Sequence, residues 1–256
     1  MNKFVLGAVG LLALAAAPAG AADMPARVYS PPPMPVAIFN WSGLYIGING
    51  GGGTSQKCWD LAALPGVVLS PTMSEGCHNA TGGTVGGQIG YRWQAANWVF
   101  GLEAQGNWAD FTGNNLNALA GSTFAVSGLT NETKIDAFGL FTGQIGYAWN
   151  NVLWYFKGGG AVVSDNYRTF VAGNNFFVDS ASETRWGGSA GTGVEVGFAP
   201  NWTVGVEYNH LFLGNRNINA VTPFGAFSAT DHIRQDADIG TVRVNYTFGG
   251  PVVSPY

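Results

Sequence analysis

Hydrophobic and polar residues alternate along most of the chain beyond residue 40. Val85, Gly87, Ile89, Tyr91 and Trp93 share one parity, and Thr84, Gly86, Gln88, Gly90 and Arg92 share the other. Phe100, Leu102, Ala104 and Trp108 likewise oppose Gly101, Glu103, Gln105 and Asn107. Near the end, Val242, Val244, Tyr246 and Phe248 oppose Thr241, Arg243, Asn245 and Thr247. A period of two marks strands whose two faces meet different surroundings. Eight strands are predicted: Trp41–Gly52, Gly83–Gln94, Trp98–Trp108, Thr133–Trp149, Val152–Val163, Thr184–Phe198, Trp202–Leu211 and Asp236–Phe248. In Thr133–Trp149 the apolar face of Ile135, Ala137, Phe141, Ile145 and Tyr147 leaves Phe138 and Leu140 on the other side. A bulge near Gly139 or Gly143 would reconcile them.

Such a pattern fits a soluble barrel with its apolar face inward or a membrane barrel with that face outward. Three features favour the membrane. Short turns (Ala95–Asn97, Asn150–Asn151, Ala199–Asn201) alternate with long connections (Gly53–Gly82, Asp110–Glu132, Ser164–Glu183, Phe212–Gln235). Outer-membrane barrels pair short periplasmic turns with longer outside loops in this way. Aromatic residues gather at the short-turn ends: Trp41, Trp93, Trp98, Trp149, Trp154, Trp202 and Phe248, with Phe198. An indole is at home where apolar lipid meets water, so these residues are expected to form a periplasmic girdle. The strand charges Arg92, Glu103, Lys157, Glu195, Glu207 and Arg243 all lie on the polar face, about four to six residues from the same rim. Three cations and three anions in one layer are expected to form a lumen network. Its structural reading is an ion-pair cluster that closes the barrel, and its functional reading is a conducting or gating site.

The N-terminus changes the picture by directing export. Lys3, the apolar run Phe4–Ala17 and Ala19-Gly20-Ala21 have the layout of a cleaved signal peptide over residues 1–21. A short membrane anchor is the bland alternative. A Pro-rich periplasmic linker follows over residues 22–39, then the barrel over 40–248 and an extension over 249–256. Only 26 of the 256 side chains are charged, and the net charge is −4, which offers nucleic acid no basic patch. Cys58 and Cys77, the only cysteines, suggest a disulfide in an exported chain. Closing that segment would stabilise it by roughly 3 kcal/mol. A metal site with Asp60, Glu75 and His78 is the sharper alternative, but the spacing is a poor zinc signature. No residues are assigned to metal or cofactor binding. His78 and His232 fall in expected loops and His210 near an outer strand end, with no triad partner in the pattern. Gly50–Gly53 ends in Thr54 without the Lys of a phosphate loop.

Further residues carry a resemblance. Asn40-Trp41-Ser42-Gly43-Leu44-Tyr45, Gly143-Gln144-Ile145-Gly146-Tyr147-Ala148 with Gly158-Gly159-Gly160-Ala161, Gly193-Val194-Glu195, Asn201-Trp202-Thr203, Glu207-Tyr208 and Val242–Phe248 occur in this order. The chain resembles the alphaproteobacterial outer-membrane immunogenic proteins, small porin-like barrels related to the opacity proteins and to the transmembrane domain of OmpA. The resemblance implies an all-β, eight-stranded, up-and-down antiparallel transmembrane barrel, surface-exposed in the outer membrane of a Gram-negative bacterium. It implies no cofactor and no catalytic residues. Expected partners are outer-membrane lipid and lipopolysaccharide, the barrel insertion machinery, and a host or surface ligand at the loops. Phe111, Phe124, Phe176, Phe177, Phe224 and Phe227 are the candidate loop contacts. Many such barrels end at the aromatic residue of the last strand, so either Phe248 or Tyr256 is expected to serve as insertion signal. A narrow pore for ions or small solutes is the rival reading, and a membrane-embedded enzyme is a third.

Overall fold

The computed structural model describes residues 39–119, 128–173 and 176–249. The expected signal segment, the linker up to residue 38, Phe124 and Tyr256 lie outside the described residues. Eight strands form one closed antiparallel ring: β1 (Gly43–Leu64), β2 (Val67–Ala95), β3 (Trp98–Leu116), β4 (Leu129–Trp149), β5 (Val152–Val171), β6 (Phe176–Ala199), β7 (Trp202–Val221) and β8 (Phe227–Phe248). Each strand pairs with its sequence neighbours, and β1 closes the ring on β8 through Leu44↔Phe248 to Ala63↔Thr230. Closure leaves no sheet edge inside lipid, where nothing could pair with it.

Two-residue turns join the strands at one end: Ala96-Asn97, Asn150-Asn151 and Pro200-Asn201. Ala96, Asn150 and Asn201 adopt left-handed backbone, with φ of 53°, 51° and 67°. Asn tolerates that conformation well, and Pro200 suits the position before it.

The strands run well past the predicted ends. The expected loops are mainly β-structure, and Pro65-Gly66 is all that separates β1 from β2. The physical reason is a change of solvent. Beyond the apolar band the outer surface meets water, so both faces become polar in places and the alternation that marks a lipid-facing strand fades.

Strand β4 also differs from expectation. Its register shifts between Ile135 and Ala137, not at Gly139 or Gly143. Phe138 and Leu140 stay inward and are buried. They are not errors of parity but part of an apolar layer inside the barrel, with Phe111, Ile135, Ala161, Val163, Leu211, Leu213, Ala237 and Ile239.

Candidate functional site

Strand β5 reads the interior in order. From the short-turn end its inward residues are Leu153, Tyr155, Lys157, Ala161, Val163, Asp165 and Tyr167. The lumen is therefore stacked: an aromatic and aliphatic base, a charged layer, an apolar layer, a second charged layer, and an aromatic cap.

At the base, Trp41 is 1% exposed and packs with Val99, Ala148, Leu153, Tyr155 and Phe39. This corrects its place in the outer girdle. The chain before β1 turns into the barrel mouth, where the backbone N–H of Trp41 donates to Gln94 Oε1 at 3.0 Å and its indole joins the base. The other girdle residues, Trp93, Trp98, Trp149, Trp154, Trp202 and Phe248, lie on the outer wall near the short turns. Tyr91, Tyr147, Tyr246 and Phe156 pack against them edge-on or tilted, at centroid separations of 5.0–5.5 Å.

Above the base, Arg92, Glu103, Lys157, Glu195, Glu207 and Arg243 converge from six different strands, and all are buried. Arg92 donates two parallel bonds to Glu195, at 2.8 and 2.7 Å. Lys157 Nζ bridges Glu103 at 2.9 Å and Glu207 at 2.8 Å. Arg243 bonds to the same two carboxylates. Tyr45 donates to Glu103 and Tyr155 to Glu207, each at 2.6 Å. Gly90 and Gly193 make room for these phenols, since a Cβ at either position would overlap the Tyr45 or Tyr155 ring. Neutral amides continue the network: Asn49 donates to Gln88, and Gln88 to Asn245, each at 2.7 Å.

The apolar layer follows. Beyond it lies a pair that the sequence pattern did not single out: Lys57 and Asp165, 2.6 Å apart with both side chains fully buried. Gln235 Nε2 donates to Asp165 at 3.2 Å, and the Lys57 ammonium lies 4.9 Å from the Tyr167 ring centre. Both charged residues fell in predicted loops. Their signal was the parity of Ser55, Lys57, Trp59 and Leu61, all buried.

The cap holds Trp59, Tyr167, Ile218 and Ile233. Cys58 and Cys77 are joined by a disulfide that ties β1 to β2 at this level, so neither is a thiolate available to a metal. His78 lies beside it, with Nδ1 2.8 Å from Asn115 Oδ1 and Nε2 3.1 Å from Thr133 Oγ1. Burial lowers its pKa. Glu75, Asp179 and Asp231 face inward nearby, and burial, reinforced by Asp179, raises Glu75. Burial, reinforced by Glu75 and Asp179, pushes Asp231 up to about 8. His210 contacts Asp238 at 2.8 Å on the outer wall, and His232 contacts Asn217 at 2.7 Å. Of the candidate loop aromatics, Phe176, Phe224 and Phe227 are exposed, and Phe177 is half-buried. Phe111 is not a surface contact, because its inward parity on β3 places it in the apolar layer.

Comparison with known proteins places this geometry. Residues 7–248 match the family described as outer membrane protein beta-barrel domain. The chain is 31% identical over 258 residues to the 31 kDa outer-membrane immunogenic proteins of Brucella melitensis biotype 1 and Brucella suis biovar 1, covering 97% of this chain and 100% of theirs. Among solved structures, the outer membrane protease OmpT of Escherichia coli matches with a TM-score of 0.49 and 9% identity, over 80% of this chain and 97% of that one. OprG of Pseudomonas aeruginosa matches with a TM-score of 0.42 and 12% identity, over 83% and 99%.

Proposed function

The chain belongs to the outer membrane protein β-barrel family, and from that premise we propose that it works as a sealed, non-enzymatic barrel that anchors in lipid and presents its long strand ends to the outside. It is an outer-membrane protein. Residues 1–21 are assigned to export, residues 22–39 to a periplasmic linker and residues 249–256 to a C-terminal extension. The lipid-facing wall takes outer-membrane lipid and lipopolysaccharide as its surroundings. The surface-antigen role follows the naming of the Brucella relatives as immunogenic.

The observation that supports sealing is the stack inside. A conducting path must cross both charged layers and the apolar layer between them. Eight strands enclose only enough space for side chains to fill. Phe138, Leu140 and Leu211 are buried in that space. The lumen charges are assigned a structural role, because each carboxylate already holds cations and hydroxyl donors at bonding distance. No catalytic step is assigned.

Single-channel recording in a planar bilayer tests the reading. The wild-type barrel is expected to stay silent. Stepwise openings that change in Glu103→Ala would overturn sealing and favour the narrow pore. Detergent-dependent turnover lost on His78→Ala would favour an enzyme instead.

A further inference from the structure

The barrel ladder is interrupted between β6 and β7 over a long stretch that is flanked by ladder pairs at both ends. Strands β6 and β7 pair from Ala199↔Trp202 up to Gly188↔Phe212, and then again only at Ser180↔Val221. Between these points Ala181–Gly187 and Leu213–Ala220 are both in extended conformation, yet no ladder pair joins them. Their other edges are occupied: β6 pairs with β5 through Tyr167↔Ala181 to Ala161↔Gly187, and β7 with β8 through Gly214↔Gln235 to Ala220↔Ala229. The edges of Ala181–Trp186 and Gly214–Ala220 therefore face each other across a seam, which begins above Gly187, where a Cβ would still lie 3.1 Å from Leu213 Cα.

The backbone explains the seam. Gly214 adopts φ +65°, and β7 shifts register against β8 between Phe212 and Gly214. A left-handed Gly at a bulge bends a strand away from its neighbour. Inside the opening, buried Arg185 of β6 reaches over to β7 and β8, with Nη1 3.5 Å from the Gly214 carbonyl and 3.3 Å from the Ile233 carbonyl. A side chain thus takes up a β7 carbonyl that a ladder would normally use. At roughly 3.3 Å per residue, less the tilt, the seam begins where the ~25 Å apolar band ends, so it opens to water and not to acyl chains.

Exposed edges are normally blunted by Lys or Pro. The exposed side chains here are Ser182, Thr184, Trp186, Asn215, Arg216, Asn217 and Asn219, with neither Lys nor Pro among them. Behind the upper part of the seam lies a small cavity lined by Trp59, Tyr167, Asp179, Asp231 and Ile233, with room for about one water-sized group (about 10 Å³). Asp231 is 6% exposed, and its Oδ1 has no hydrogen-bond partner. The charged groups that face it, Glu75 and Asp179, are also acidic. An ammonium group is cationic, matches the cavity in size, and is attracted to aromatic faces such as those of Trp59 and Tyr167.

We propose that the β6–β7 seam is a docking site for an extended polypeptide, which adds to the free edge of β6 and places a Lys side chain in the cavity beside Asp231. Unpaired N–H and C=O groups in extended geometry select another extended backbone, and the cavity selects the side chain. The proposal deepens the surface-interaction reading and rests on it for access from outside.

Hydrogen exchange of the full-length protein in detergent tests it. There a peptide reaches both barrel ends, so the outcome does not depend on which end faces out. Without peptide, the alternate amides of 181–186 that do not bond to β5 are expected to exchange at least tenfold faster than the amides of 188–196. Equal protection would overturn the seam. The probe is a synthetic peptide alternating Val and Thr with one central Lys. It should slow exchange at those seam-facing amides at least tenfold. Replacing its Lys by Glu, or using Asp231→Asn protein, should weaken binding at least tenfold. A second variant, Thr184→Cys with Asn217→Cys, should lose binding when oxidised and regain it when reduced, with wild type carried through the same treatment. No protection by any peptide, equal protection by a Pro-interrupted peptide, or binding that persists in the oxidised variant would overturn the proposal. A peptide-independent dimer that the oxidised variant cannot form would overturn it in favour of a second copy of this chain.

Discussion

The membrane-level half of the barrel and its water-level half use the same eight strands in opposite ways. Near the short turns the outer wall is apolar (Ile46, Ile89, Leu102, Val244) and the interior holds six paired charges. Beyond the band the wall carries Asp110, Lys134, Asp136 and Asp238, while Trp59, Tyr167, Ile218 and Ile233 share the interior with Lys57, Asp165, Arg185 and Asp231. The lower half is turned inside out relative to a soluble barrel, whereas the upper half has a polar wall around a mixed apolar and charged interior. One chain can do both because strand parity fixes only which residues share a face. The medium outside decides which face must be apolar.

The sharpest way to break the comparison is at the lower ion layer. Arg243→Ala would leave Glu103 and Glu207 sharing Lys157 alone in a buried site, and about 3–5 kcal/mol should be lost. The urea midpoint of the whole barrel would report it, and an unchanged midpoint would show that the charges do not hold the ring. The disulfide tests the upper half next. Cys58→Ser with Cys77→Ser should weaken the outer ends of β1 and β2 by roughly 3 kcal/mol. Exchange at 56–62 should rise, with a smaller shift in the urea midpoint.

A weaker effect is expected from pH. Asp231 is pushed up to about 8 in the fold, whereas an unfolded Asp titrates near 4. A raised folded value means that the folded state holds the proton longer. Its contribution is complete below about pH 4 and is lost as pH rises toward 8. Protease resistance of the upper strand ends should therefore fall from pH 5 to pH 8.5, and Asp231→Asn should flatten the change. Persisting pH dependence in that variant would assign it to Glu75. The smallest effect should come from Gly106, whose Cβ would point into open space on the outer wall. Gly106→Ala should change stability by no more than about 0.5 kcal/mol.

The lower half was legible because lipid enforces a strict alternation. Val85 to Trp93 and Val242 to Phe248 show the strands, and the six lumen charges share one parity and one level. The upper half was not legible as strand. Lys57 is followed by Cys58 and Trp59, so no simple apolar–polar beat survives, and a buried Lys looks like a loop residue until Asp165 is seen opposite it. Trp41 was misplaced for a related reason. Proximity to a rim does not reveal whether an indole turns outward to lipid or folds into the mouth. Phe138 and Leu140 looked like a fault in β4 because the interior was expected to be polar throughout, and one apolar layer was enough to explain both.

Nitroxide accessibility along the strands is the most direct test that the lower wall is turned out to lipid around a sealed interior. Labels at Ile89→Cys, Leu102→Cys and Val244→Cys in lipid vesicles should be accessible to oxygen dissolved in the bilayer and shielded from an aqueous nickel chelate. Labels at Leu140→Cys and Ile239→Cys should be shielded from both reagents. Nickel reaching residues 140 and 239, with oxygen failing to reach 89, 102 and 244, would contradict the account.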